Sequence, residues 1–190
     1  MFTSIDEYKK FVDGKYPLRK LTKMQSHNDG TRRLVESIMA PEVIRALADL
    51  KESYPKHKYV LIGGMAFSFY GKPRYTEDID ILISEEKPAF LLNFKNTRLH
   101  AYQHNSTHVE VEVLDADYLK ISDDLVQKIF DTSIEEDGLL IASPSGIIAL
   151  KLQRFNKYDQ GDIEFLKNTF DIDLSIFNLS DDLLKKYDSI

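Results

Sequence analysis

Asp78 and Asp80 stand two apart inside the hydrophobic run EDIDILI, and that spacing is the strongest chemical signal in the chain. Alternate side chains of a strand share a face, so both carboxylates point one way while Ile79, Ile81 and Ile83 point the other. Two bare carboxylates side by side repel and are costly to desolvate. A divalent cation resolves that cost, and an oxygen-only pair suits Mg²⁺. Upstream, Gly63-Gly64 follows the apolar run Val60-Leu61-Ile62, where backbone N–H groups at a helix start can cradle a phosphate. Each feature alone is ordinary: a glycine pair after a strand is usually a tight turn, and an isolated Asp-x-Asp is often a solvated edge. Their conjunction is stronger, because the thirteen residues 65 through 77 leave room for a helix, a loop and a neighbouring strand. A phosphate cradle beside a metal pair implies chemistry on the phosphates of a nucleotide.

Three further groups carry chemistry. The run His108-Val109-Glu110-Val111-Glu112-Val113 alternates, with the valines on one face and His108, Glu110 and Glu112 on the other. Ser143-Pro144 reads as a cap and first position of a helix over Ser145–Phe155, which carries Lys151 and Arg154. Asp159 and Asp162 follow, and a first-turn acid there would also be stabilised by the helix dipole. The five histidines show no paired metal spacing.

The elements that must position these groups are legible from punctuation and period. Residues 1–40 read as a helical and loop extension: a short helix from Ser4 to about Val12, ended by Gly14 and Pro17, then a polar loop over Met24–Thr31. PEVIRALADLKESY has Val43, Ile44, Leu47 and Leu50 at helical spacing and leads into a strand at Lys58–Ile62. MAFSFYG is a short helix stopped by Gly71 and Pro73, and a second strand runs over Asp78–Ile83. Pro88–Asn96 reads as a helix with Phe90, Leu91 and Phe94 on one face. Strands over Arg98–Gln103 and His108–Leu114 are joined by a turn at residues 104–107. Ala116–Phe130 is one helix or two, Leu139–Ala142 a short strand, and helices near 160–169 and 180–187 close the chain. Strands and helices interleave and then helices dominate. The expected fold is therefore α/β: a mixed sheet flanked by helices over 41–142, followed by a helical subdomain over 143–190.

Composition narrows the classes. At 190 residues, with 43% hydrophobic and 29% charged residues, the chain suits an ordinary globular domain with a small appendage. No apolar run approaches the roughly twenty residues of a membrane span, and MFTSIDEYKK has no signal-peptide core, so no membrane and a cytoplasmic location are expected. Zero cysteines exclude disulfides and cysteine-ligated zinc. The net charge of −6 argues against a broad nucleic-acid footprint but permits a local patch of Lys72, Arg74, Lys151, Arg154 and Lys157.

The segment from Gly63-Gly64 through Gly71-Lys72-Pro73-Arg74-Tyr75-Thr76-Glu77-Asp78-Ile79-Asp80 resembles the signature of the nucleotidyltransferase superfamily, the fold of DNA polymerase β. Its branch of closest resemblance is the bacterial AbiEii-like one, which includes toxins of abortive-infection systems. The likeness covers about Tyr59 to Leu166. It implies that Asp78, Asp80 and a third acid hold two Mg²⁺ ions. Glu112 is the favoured third acid and Glu110 the fallback. The resemblance also implies that Gly63, Gly64, Arg74 and Thr76 bind the nucleotide, Arg74 by holding a phosphate. Lys151 would neutralise triphosphate charge, with Arg154 beside it and Asp162 orienting one or the other. A tyrosine intervenes at position 158, so the division of labour between Asp159 and Asp162 stays open. The implied reaction moves an NMP from an NTP to a hydroxyl of tRNA, protein or a small molecule, and an antitoxin partner is implied with it. Phosphoryl transfer at the same nucleotide site, or a degenerate module that binds nucleotide or protein without catalysis, are the alternatives.

Overall fold

A computed structural model describes residues 41–70, 76, 78–85, 87, 88, 91–136 and 138–190. The extension over 1–40, the Gly71/Pro73 helix stop, Lys72, Arg74 and Glu77 lie outside the described residues. The chain enters through α1 (Pro41–Ser53), which carries Pro41 in its first turn and buries Val43, Ala46, Leu47 and Leu50. A single 3₁₀ turn leads into β1 (Tyr59–Leu61) and directly into α2 (Gly63–Phe69). β2 then spans Asp78–Ile83, as the alternation predicts.

The next segment departs from expectation. Within the expected Pro88–Asn96 helix, residues 91–96 are not helical: a turn at 92–93 is followed by β3 (Phe94–Arg98). Asn93 takes a left-handed φ of 68°, its side chain donates to Asp49, and its carbonyl accepts from the Asn105 N–H. A left-handed residue ends any helix, and asparagine tolerates it where most residues do not. The strand expected over Arg98–Gln103 is likewise split. It turns at Leu99-His100, with β3 ending at Arg98 and β4 running over Ala101–His104. β5 (Glu110–Leu114) begins two residues later than the alternation suggests, because His108 sits in a turn at φ 62°.

Short helices α3 (Ala116–Leu119) and α4 (Asp123–Asp131) come next, capped by the side chains of Asp115 and Ser122. β6 (Ile134–Glu136), which no sequence signal announced, makes a hairpin with β7 (Leu139–Ile141). Then follow α5 (Pro144–Arg154), α6 (Lys157–Thr169) and α7 (Asp181–Asp188). Ser143 caps α5 as expected, accepting from the Gly146 N–H. α6 starts three residues earlier than its apolar pattern suggests, because Asn156 and Asp159 close a capping box.

The strands form one mixed sheet in the order β3-β4-β5-β2-β1-β7-β6. β2 lies between β1, antiparallel to it, and β5, parallel to it, at the centre of the sheet. Ile79, Ile81 and Leu82 of β2 and Val111 and Val113 of β5 have no exposed surface, which locks the register. The buried residues of α1, the sheet, α5 and α6 make one continuous hydrophobic cluster, so Ile147, Ile148, Leu152, Ile163 and Leu166 share the core of the sheet. No helix among the described residues is long and apolar enough to cross a membrane.

Candidate active site

Strand register builds the acid face. β2 and β5 pair in parallel with Asp78 opposite Glu110 and Asp80 opposite Glu112, while Ile79 and Ile81 face Val111 and Val113 in the core. Four carboxylates therefore form a two-by-two ladder on one side of the central sheet. Glu112 thus stands beside Asp80 and Glu110 beside Asp78. Asp78 is exposed at the strand's start. Its Oδ1 accepts from the Thr76 hydroxyl at 2.8 Å, so Thr76 orients one of the two aspartates.

The glycine pair serves close approach. Gly63 has φ +60°, and a Cβ there would lie 1.7 Å from Asp80 Oδ2. A Cβ on Gly64 would lie 2.9 Å from the Thr76 hydroxyl. The start of α2 is thus pressed against the acid strand, and only glycine lets the Asp80 carboxylate sit against that backbone. Gly63→Ala is expected to strain the backbone by about 1–2 kcal/mol and to drive Asp80 from its place, so activity falls even in protein that folds. Gly64→Ala should be milder, since its backbone is not left-handed and its Cβ would meet only the Thr76 side chain. Thermal melting and turnover of both variants check this order, and equal effects would contradict it.

The cations come from α5, and their carboxylate partners from α6. Lys151 Nζ lies 3.0 Å from Asp159 Oδ1 and 2.7 Å from Asp162 Oδ2, with the Phe67 ring centroid 5.1 Å away. Two of its three donors are committed to these aspartates. Asp162, expected to orient Lys151 or Arg154, pairs with Lys151, and Asp159 pairs with both cations. Arg154 is held by Asp159 in fork geometry, Nε to Oδ2 at 2.8 Å and Nη2 to Oδ1 at 2.7 Å, yet its side chain is 70% exposed. Its guanidinium charge is favoured first by the Asp159 hydrogen bond, against the cost of desolvation, and further by the fields of Asp159, Asp80 and Asp162. Arg154 therefore feels the charge of Asp80 from the ladder while part of its surface stays open to solvent. Asp159 is fully buried. Burial opposes its charge, but the hydrogen bonds from Arg154 and Lys151 outweigh that cost and hold its carboxyl down at about 2.

Arg98 was not among the residues that the sequence singled out. It donates to both Glu110 and Glu112 from the end of β3. The hairpin places it: Arg98 opposes Ala101, and Ala101 opposes Glu112. Placing the turn at Leu99-His100 would have revealed it. His104 has a structural role. It is buried, its Nε2 donates to Asp49, and its Nδ1 accepts from the Thr107 N–H, tying β4 to α1.

As a metal site, the donor chemistry fits a hard divalent cation: all-oxygen, multiply anionic, and held on adjacent strands. Among the described residues no three His, Asp or Glu side chains converge closely enough to form a finished ligand set. The ladder, the glycine pair and the central position of β2 are the features of a nucleotidyltransferase-like fold. Residues 45–123 match the family model described as the nucleotidyl transferase AbiEii toxin of type IV toxin–antitoxin systems. The resemblance to the AbiEii-like branch thus holds over the stretch from α1 to the start of α4. That stretch includes the glycine pair and the whole acid ladder, and Lys151, Arg154, Asp159 and Asp162 lie beyond it. No curated protein matches the chain.

Proposed function

We propose that this protein is a Mg²⁺-dependent nucleotidyltransferase that moves an NMP from an NTP to a hydroxyl acceptor on tRNA, protein or a small molecule. The observation that carries the reading is the register of β2 against β5, which sets Asp78 and Asp80 beside two glutamates on one face. Asp78 and Asp80, with Glu112, would hold the metal, which when bound supplies charge neutralisation at the transferring phosphate. The chain's own groups account for the rest. Gly63 and Gly64 bring the start of α2 against the acids, where backbone N–H groups can meet the triphosphate. Arg154, fixed by Asp159 and open on its far side, is the cation best placed to take a phosphate oxygen, and Arg74 is assigned the same task by resemblance. Lys151 sets the two aspartates and, through Asp159, the angle of Arg154.

In the reaction the acceptor oxygen attacks the α-phosphorus in line, and the bond to the bridging oxygen breaks. Pyrophosphate leaves, and Glu112 accepts the acceptor's proton. The family match supports the further proposal that the chain acts as the toxin of a toxin–antitoxin pair in the cytoplasm, with an antitoxin partner.

Incubation with α-phosphate-labelled NTPs, Mg²⁺ and separate pools of RNA, protein and metabolites tests the reading. Label is expected in one pool, and label in none with every NTP would overturn it. Glu112→Gln should reduce that label by more than Glu110→Gln, because Glu112 stands opposite the inner aspartate, Asp80. The reverse order would move the proton acceptor to Glu110.

A further inference from the structure

The acid ladder holds a cation that the proposed reaction does not use. One guanidinium nitrogen of Arg98, Nη2, donates to Glu110 Oε1 and, at 2.6 Å, to Glu112 Oε1. These are the two glutamates in register with Asp78 and Asp80. The backbone therefore brings four carboxylates to neighbouring positions, yet no three side chains converge on a point among the described residues. Glu110 and Glu112, the carboxylates that would complete a ligand set, are engaged by Arg98 of the hairpin instead.

We propose that Arg98 is a displaceable counter-cation that holds Glu110 and Glu112 off the aspartate pair until a divalent cation takes its place. This rests on the reading of the ladder as a metal-dependent transfer site. Two glutamates on one strand face, beside two aspartates, repel one another, and a positive charge tethered on the next hairpin offsets that repulsion in the metal-free protein. The tether is weak by construction. The Arg98 side chain is 57% exposed and shares a single nitrogen between two acceptors, the kind of ion pair that contributes little net stability. A hard divalent cation, held by several carboxylate oxygens, competes with it successfully. Arg98 is then a positioning residue whose removal lowers the divalent concentration at which the site fills.

Titration of the full chain with Mn²⁺, followed by electron paramagnetic resonance, measures this without any turnover. Arg98→Gln should tighten Mn²⁺ binding by about three- to fivefold, the range set by the loss of one exposed ion pair. Lys95→Gln removes the same charge from the same strand without that contact and should change affinity by less than half as much. Arg98→Lys, which keeps the charge, should stay near wild type and guards against a folding defect in the glutamine variant. In a Glu112→Gln background, where only the Glu110 contact remains, the effect of Arg98→Gln should shrink. Equal or weaker binding in Arg98→Gln, or a matching gain in Lys95→Gln, overturns the inference and leaves the transfer reading standing. Failure of wild type and every variant to bind Mn²⁺ overturns both.

Discussion

Asp78→Asn and Asp80→Asn are each expected to abolish nucleotidyl transfer, lowering turnover by on the order of 10³-fold or more, while the fold survives intact. The size follows from the several kcal/mol that charge stabilisation at the transferring phosphate contributes, each 1.36 kcal/mol of which is about tenfold in rate. Stability should hold or rise, for reasons specific to this site. An asparagine at 78 keeps an oxygen to accept from the Thr76 hydroxyl, and at either position it removes one of four crowded negative charges. The substituted strand also keeps the isoleucines that anchor it, since Ile79 and Ile81 lie in the core. Melting curves beside turnover assays separate the two effects. A variant that retains activity within about tenfold of wild type would remove its aspartate from the metal assignment.

Asp159→Ala carries the largest expected loss of stability, about 3–5 kcal/mol, because it strips a buried carboxylate from Lys151 and Arg154 and opens the capping box of α6. For a chain of this size that corresponds to a melting temperature lower by roughly 10 °C. Glu164→Gln, an exposed change on the same helix, should stay within about 0.5 kcal/mol of wild type. The same carboxyl makes the protein sensitive to acid. Its pKa is lowered from the ordinary 3.8 to about 2. The stabilisation it contributes, roughly 2 kcal/mol, is therefore complete above pH 4 and lost as the pH falls toward 2. Asp159→Ala should flatten that part of the stability–pH curve. An unchanged acid limb in the variant would show that Asp159 does not carry it.

Much of the site was legible because strand alternation and glycine pairs are local signals. The span of β2 and the facing of Asp78 and Asp80 follow from period two alone, and Ser143-Pro144 marked the start of α5 through capping chemistry that needs no tertiary partner. The failures fall where a distant residue decides. Pro88–Asn96 has helical spacing, but Asn93 turns left-handed with Asp49 and Asn105 as partners from two other elements. His108 alternates in phase with Glu110, yet the turn that joins β4 to β5 takes it off the strand. The Arg98 contact depended on where one hairpin turned. The partition between Asp159 and Asp162 depended on the first turn of α6, where Asn156 and Asp159 cap each other while Lys151 bridges to both aspartates. The glycine pair was read as a phosphate cradle; its fit against Asp80 and Thr76 became visible only once α2 and β2 were packed together.

Pyrophosphate release from each of the four NTPs, measured with Mg²⁺ or with EDTA in the presence of cell extract as acceptor, tests the central claim most directly. Release is expected from the wild-type protein with at least one NTP, lost in EDTA and absent from both Asp78→Asn and Asp80→Asn. Tight binding of a nonhydrolysable NTP by calorimetry, without pyrophosphate release from any NTP, would contradict it and make the chain a nucleotide-binding module.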